Sequence, residues 1–184
     1  VQHCHIENFI CYAEGTGDRL KIVTSTQIPH IVRRVVGQAL GLPWGKIQVI
    51  KPYIGGGFGN KQDVLYEPLC AWLSLQLGGH LVKLDVPREE TFVSTRVRHA
   101  IHSHIISWVR PDGTFAARKL EAFSDQGAYA SHGHSICAKG AGAFPQLYPC
   151  DNVEVDAYTV FTNKSVAGAM RGYGIPQAMW AVEC

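Results

Sequence analysis

Residues 19–25 (RLKIVTS) alternate apolar and polar side chains as a half-buried strand does, and beyond Pro29 the pattern changes to helical spacing. Ile31, Val32, Val35, Val36, Ala39 and Leu40 share one face; Ser25 or Thr26 offers a cap, Pro29 suits a first turn, and Gly41 ends the run. A second unit follows the same plan. KIQVIKPYI (46–54) reads as a strand, GGGFGNK (55–61) as a loop, DVLYEPLCAWLSLQL (63–77) as a helix, and LVKLDV (81–86), after Gly78-Gly79, as another strand.

The second half has a different texture. HAIHSHIISWV (99–109) alternates, Pro111-Asp112-Gly113 signals a turn, and TFAARKLEAFSDQGAY (114–129) is extended again, which together predict a long hairpin. Small residues thicken over SHGHSICAKGAGAFP (131–145), VEVDAYTVFT (153–162) reads as a strand, and a helix begins at about Pro176. The expected fold is α+β, mixing βα units with antiparallel hairpins, in two lobes: about 1–95 with βα units and about 96–184 rich in hairpins.

Composition narrows the function classes. The 184 residues carry 17 Lys+Arg against 15 Asp+Glu, and a net charge of +2 without basic runs gives little reason to bind nucleic acid or an anionic membrane. Every apolar stretch is broken well before the roughly 20 residues that span a bilayer. The six cysteines include no CxxC pair, so iron–sulfur and zinc-finger spacings are absent and free thiols in a cytoplasmic protein are expected. A chain that starts at Val1 and stops at Cys184 within an apolar stretch reads as a piece of a longer polypeptide.

Four glycines in five positions, Gly55, Gly56, Gly57 and Gly59, lie between a strand and a helix, where backbone N–H groups can approach an anionic or oxo-bearing ligand. A tight turn needing positive φ accounts for one or two of them. The segment is neither of the usual nucleotide loops: Asn60 and Gln62 flank Lys61 where a phosphate loop needs Gly and Ser or Thr. Arg171 sits alone among small residues in AGAMRGYG (167–174), with five fixed donors, or it is a plain surface arginine; Arg96, Arg98 and His99 form a further concentration of charge. His3/His5, His102/His104 and His132/His134 are i, i+2 pairs that would share a strand face, and two ligands each do not complete a metal site.

Together, Ser25-Thr26-Gln27, GGGFGNK (55–61), RHA (98–100) and AMRGYGIPQ (169–177), in this order and spacing, resemble the molybdenum-binding subunit of the xanthine dehydrogenase and aldehyde oxidase family, closest to its bacterial xanthine dehydrogenases. QHCHIEN near the start and DQGAYASHGHS extend the resemblance over essentially the whole chain. It implies a molybdenum–pterin cofactor, molybdopterin or its cytosine dinucleotide, with no side chain ligating the metal directly. Gln27 then matches the glutamine whose amide donates to a molybdenum oxo group. Gly56, Gly57 and Phe58 match the cofactor loop, the Phe58 ring also bounding the substrate pocket, and Arg171 matches the residue whose main chain lies beside the metal. On the substrate side the resemblance implies Tyr173 against the heterocycle and Arg98 on a substrate oxygen. Gln62 departs from the glutamate of mammalian xanthine enzymes: an amide hydrogen-bonds but takes no proton.

The implied activity is hydroxylation of an electron-poor purine carbon, as in xanthine or hypoxanthine, with oxygen from water. The family's general base lies beyond this chain, so the piece alone is expected to be inactive. The implied partners are iron–sulfur (2Fe-2S) and FAD-binding subunits or domains in a higher oligomer. Alternative readings are a molybdenum hydroxylase for aldehydes or another aromatic substrate, a non-catalytic module for an anionic nucleotide, and a zinc or nickel site on the histidine pairs.

Overall fold

The computed structural model describes all 184 residues, and they divide into two units, Gln2–Thr95 and Arg96–Cys184 with Val1. In the first unit β1 (Ile10–Thr16), β2 (Arg19–Thr24), β3 (Ile47–Ile50) and β4 (Val82–Asp85) form one sheet in the order β3-β2-β1-β4. β1 runs antiparallel to β2 and β4, and β2 runs parallel to β3. The parallel pair is joined by α1 (Pro29–Leu40); α2 (Glu67–Gln76) and the short α3 (Arg88–Ser94) complete the unit.

Alternation decides which face of this sheet is covered. Cys11, Ala13, Leu20 and Ile22 point inward against Val32 and Val36 of α1 and Cys70 and Ala71 of α2, and all eight are buried. Of the helical stripe read from the sequence, Val32 and Val36 make this contact and Leu40 packs against it, whereas Ile31 and Ala39 are exposed. Gly41 takes the left-handed conformation expected of a C-terminal glycine (φ 66°), and its N–H reaches the Gly37 carbonyl. The expected Ser25 or Thr26 cap is not made: no side chain caps α1, whose N-cap position is Ile28. Thr26 Oγ1 accepts from the Ile28 N–H at 3.1 Å, and the Ser25 hydroxyl is engaged elsewhere. α2 starts at Glu67, later than the apolar run suggests, because Pro68 is compatible with the first turn only.

Ser25 belongs to a buried polar knot. Lys61, with its side chain fully inaccessible, places Nζ 2.6 Å from Glu7 Oε2, 3.1 Å from the Glu7 carbonyl and 2.5 Å from Ser25 Oγ. Glu7 Oε2 also accepts from the Ser25 hydroxyl at 2.5 Å and from the Gly55 N–H at 2.9 Å. Burial pushes the Lys61 ammonium below its usual range, opposed by Glu7. Burial likewise works to raise the Glu7 carboxyl, but the donors from Lys61, Ser25 and Gly55 outweigh it and hold Glu7 below its ordinary value.

In the second unit β5 (Ala100–Val109), β6 (Phe115–Asp125) and β7 (Val153–Val160) form a sheet in that order. β5 and β6 are the predicted hairpin, turned at Gly113 (φ 86°). β6 and β7 are parallel, and α4 (Gly133–Ala141) lies in the crossover between them, so this unit also contains a βαβ element that the small-residue stretch did not reveal. α5 (Ile175–Glu183) packs with α4. The core gathers Leu120, Ala122, Ala141 and Phe144, with Ile101, Ile105, Val155 and Val182 around them. Arg118, buried beside it, places its guanidinium 4.3 Å from the Phe144 ring centroid and donates to the Leu147 and Tyr148 carbonyls at 2.7 and 2.8 Å. At the end of β6, Asp125 accepts from Lys164 Nζ at 2.8 Å, from Thr162 Oγ1 at 2.6 Å and from the Gly127 N–H at 3.0 Å, which pulls its carboxyl down to about 2.

All six cysteines are free. No helix is long and apolar enough to cross a membrane.

Two predictions follow from these polar knots. Lys61→Met leaves the Glu7 carboxylate without its buried counter-charge and should lower stability by about 3 kcal/mol, the low end for breaking a buried pair because Glu7 keeps some solvent contact, read as a shift in the denaturant midpoint. Glu7 and Asp125 both have folded values below their ordinary 4.5 and 3.8, so the stability they contribute is complete above those values and is lost as the pH falls through the folded ones. Acid unfolding followed by circular dichroism should therefore steepen below pH 4.5, with the Asp125 share lost between 3.8 and about 2 and absent in Asp125→Asn.

Candidate functional site

In the first unit, the end of β2 and the glycine loop come together through Gln27. The Gln27 N–H donates to the Lys61 carbonyl at 2.9 Å, and Gln27 Oε1 accepts from the Gly59 N–H at 3.0 Å. With Oε1 committed, the Nε2 group is left as a donor. A Cβ on Gly57 would lie 2.4 Å from Gln27 Oε1, and one on Gly55 would lie 2.6 Å from the Glu7 Cβ. Gly56 and Gly59 hold φ of 103° and 104°. All four glycines thus have an internal reason, two for conformation and two for close approach, and ligand access is not needed to explain them.

The loop nevertheless presents donors. The N–H groups of Gly56, Gly57 and Phe58 have no acceptor within the protein, whereas those of Gly55, Gly59 and Asn60 do. Phe58 sits at the crest in a left-handed conformation (φ 53°) with its side chain 46% exposed, a strained placement for a bulky residue. Gln62 closes the following turn through its N–H to the Gly59 carbonyl, 3.0 Å, and is half-buried.

The second unit assembles Arg98, Arg171 and Tyr173. One Arg98 terminal nitrogen donates to the Arg171 carbonyl at 2.8 Å, and the other to Gln177 Oε1 at 3.1 Å. Gln177 Nε2 in turn donates to the His99 carbonyl at 3.1 Å, so one amide fixes both the guanidinium and the segment that leads into β5. Arg98 and Gln177 line a hollow of about 660 Å³ bordered by Trp180 and His104. Burial lowers the pKa of both Arg98 and the adjacent His99. Tyr173 takes φ of 51° between Gly172 and Gly174, and its hydroxyl lies 2.8 Å from His132 Nδ1. Gln27, Gly56, Gly57, Phe58 and Gln62 therefore form one cluster in the first unit, and Arg98, Arg171 and Tyr173 another in the second.

Of the three histidine pairs only His102/His104 shares a strand face, on β5, and no third His, Cys, Asp or Glu joins it. His132 precedes α4 and His134 lies within its first turn, so the two do not share a strand face. His5 Nδ1 is 2.6 Å from the Glu7 carbonyl, which only accepts, so that nitrogen carries the proton and Nε2 accepts from Asn60 Nδ2 at 3.2 Å. Burial keeps this imidazole below its usual pKa. Glu7, Asn60, His132 and Gln177 are the supporting residues that sequence reading missed as site components. Gln177 stood inside a quoted motif, whereas nothing in the pattern linked Glu7 to Lys61.

The whole chain, residues 1–184, matches the family model of the molybdopterin cofactor-binding domain. The chain belongs to this family. A xanthine dehydrogenase molybdenum-binding subunit of Escherichia coli O157:H7 is 52% identical over 184 residues, covering 100% of this chain and 24% of that protein. Among solved structures, the aldehyde oxidoreductase of Desulfovibrio gigas superposes with a TM-score of 0.87 at 26% identity over 97% of this chain and 20% of that one. Quinoline 2-oxidoreductase from Pseudomonas putida 86 superposes with 0.86 at 30% identity, over 95% and 23%. This molybdopterin cofactor-binding domain thus spans about a quarter of the length of its relatives, and these likenesses bear out the α+β fold expected from the sequence.

The first-unit cluster fits such a cofactor. A pterin with oxo and phosphate groups offers acceptors, and the Gln27 amide and the N–H groups of Gly56, Gly57 and Phe58 are neutral donors without a protein partner. Gly57→Ala would displace Gln27 Oε1, so cofactor content of the full-length protein, measured as bound molybdenum, should fall at least ten-fold. The melting temperature should fall less than the overpacking of a core site requires, since overpacking typically costs about 1–3 kcal/mol and this loop can yield.

Proposed function

We propose that the chain is the part of a molybdenum hydroxylase catalytic subunit that holds the pterin and forms one wall of a purine pocket, in an enzyme that hydroxylates an electron-poor carbon of xanthine or hypoxanthine. The observation that carries this reading is the Gln27 amide, turned by the Gly59 N–H so that Nε2 remains to donate, beside three acceptor-less backbone N–H groups. When bound, the cofactor would supply the redox centre and the activation of a water-derived oxygen. Gln27, Gly56, Gly57 and Phe58 would hold it by neutral hydrogen bonds and contact, and the Arg171 main chain is assigned to the same cofactor. In this reading none of these residues is a direct metal ligand.

Arg98 orients the purine and balances negative charge on its oxygen. It suits this role because Arg171 and Gln177 engage only part of its fan of five donors. Tyr173 packs against the heterocycle, and Gln62 donates or accepts a hydrogen bond at the ring without taking its proton. 2Fe-2S and FAD groups on partner subunits of a cytoplasmic oligomer would supply the path for the electrons. The name of the relative from E. coli O157:H7 supports the purine reading. The name of the D. gigas neighbour supports a second one, in which the substrate is an aldehyde.

The purified full-length subunit with its partners should contain molybdenum and turn over xanthine or hypoxanthine. Arg98→Met should reduce kcat/KM for the purine about ten- to a hundred-fold, the worth of a hydrogen bond to a charged group, and reduce that for a simple aldehyde far less. Turnover of aldehydes alone would replace the purine reading, and absence of molybdenum would remove the enzymatic one.

A further inference from the structure

Residues 172–174 have φ of 92°, 51° and 93°, three successive left-handed positions of which the middle one carries a bulky side chain. Their backbone is wedged against α4: a Cβ on Gly174 would lie 2.4 Å from the Ile136 carbonyl, and one on Gly140 would lie 2.9 Å from the Gly174 carbonyl. The residue at the head of the same helix, His132, reaches the Tyr173 hydroxyl through Nδ1 at 2.8 Å. The two rings meet edge-on, with centroids 5.9 Å apart and planes at 79°. One helix therefore fixes Tyr173 at both ends, the backbone by close packing and the phenol by a hydrogen bond.

We propose that His132 is a positioning residue for Tyr173, and that through it α4 sets the selectivity of the substrate pocket for flat heteroaromatic rings over small aliphatic aldehydes. The proposal rests on the reading of Tyr173 as a substrate wall. Contact between aromatic rings depends on offset and tilt, so a phenol free to turn about its side-chain torsions loses much of its grip on a purine. An aliphatic aldehyde presents no ring face and does not register the change. A phenol against an apolar ring face also carries a hydroxyl that is costly without a partner, and His132 supplies that partner.

The test is a double-mutant cycle in the cofactor-loaded, full-length enzyme with its partner subunits, using His132→Ala, Tyr173→Phe and the double variant, with His132→Asn as the conservative change. Asn retains a polar atom near the position of Nδ1 and is a favoured residue ahead of a helix. His132→Ala should lower the purine-to-aldehyde ratio of kcat/KM about five- to ten-fold, the effect falling on the purine KM, with the double variant no worse than Tyr173→Phe and Asn recovering most of the loss. Multiplying effects in the double variant, or equal losses on both substrates, would overturn the proposal. A crystal structure of His132→Ala gives an answer independent of turnover: the Tyr173 ring should leave its wild-type rotamer, and an unmoved ring would overturn the positioning role. If the wild type turns over no purine, the assignment of substrate fails, while the ring position still decides the role of His132.

Discussion

The Lys61 ammonium has no water to turn to, and what it finds instead organises the first unit. Glu7 comes from the N-terminal segment and Ser25 from the end of β2; the buried cation binds both, and the Glu7 carboxylate in turn accepts from the Gly55 N–H at the start of the loop. A charge withdrawn from water is tolerated only with a counter-charge and filled hydrogen bonds, and here Glu7 supplies the counter-charge while Ser25 and the Glu7 carbonyl accept the remaining N–H groups. Because Lys61 also lends its carbonyl to the Gln27 N–H, the knot that stabilises the loop fixes the glutamine beside it. Holding the loop and orienting the Gln27 amide are therefore the same piece of construction.

The second unit achieves an equivalent rigidity by holding a cation with neutral acceptors. Gln177 ties the Arg98 guanidinium to the His99 main chain, the Arg171 carbonyl takes a second donor, and His132 takes the Tyr173 hydroxyl. In both units an aromatic residue named by the family resemblance occupies a left-handed conformation, Phe58 at φ 53° and Tyr173 at φ 51°. Such positions persist only where the surroundings overdetermine them, and the flanking glycines with their close contacts do so here. Cys4 and Tyr148 adopt the same conformation, at φ 52° and 59°.

Much of the secondary structure was legible because burial on one face leaves a period in the sequence. The stripe of α1, the alternation of β2 and the turn between β5 and β6 all appear where the pattern puts them. α4 did not, because its residues were chosen by a different pressure. Gly133 and Gly140 lie where added Cβ atoms would come within 2.1 Å of Gln126 and 2.9 Å of Gly174, so the helix is written in residues with poor helical propensity. The glycine loop serves two demands at once: its four glycines have internal reasons in close contacts and backbone conformation, and the same loop leaves the N–H groups of Gly56, Gly57 and Phe58 without a protein acceptor.

The sequence by itself determined the elements whose signal is periodic or local, and through four ordered motifs it determined the family. Only the tertiary structure decided which of the motif residues have supports and what the supports are. Glu7 stands 54 positions from Lys61, Gln177 stands 79 from Arg98, and Tyr173 stands 41 from His132. Pairings over such distances leave no period in a single sequence, because each depends on where the chain has been brought by the packing of everything between.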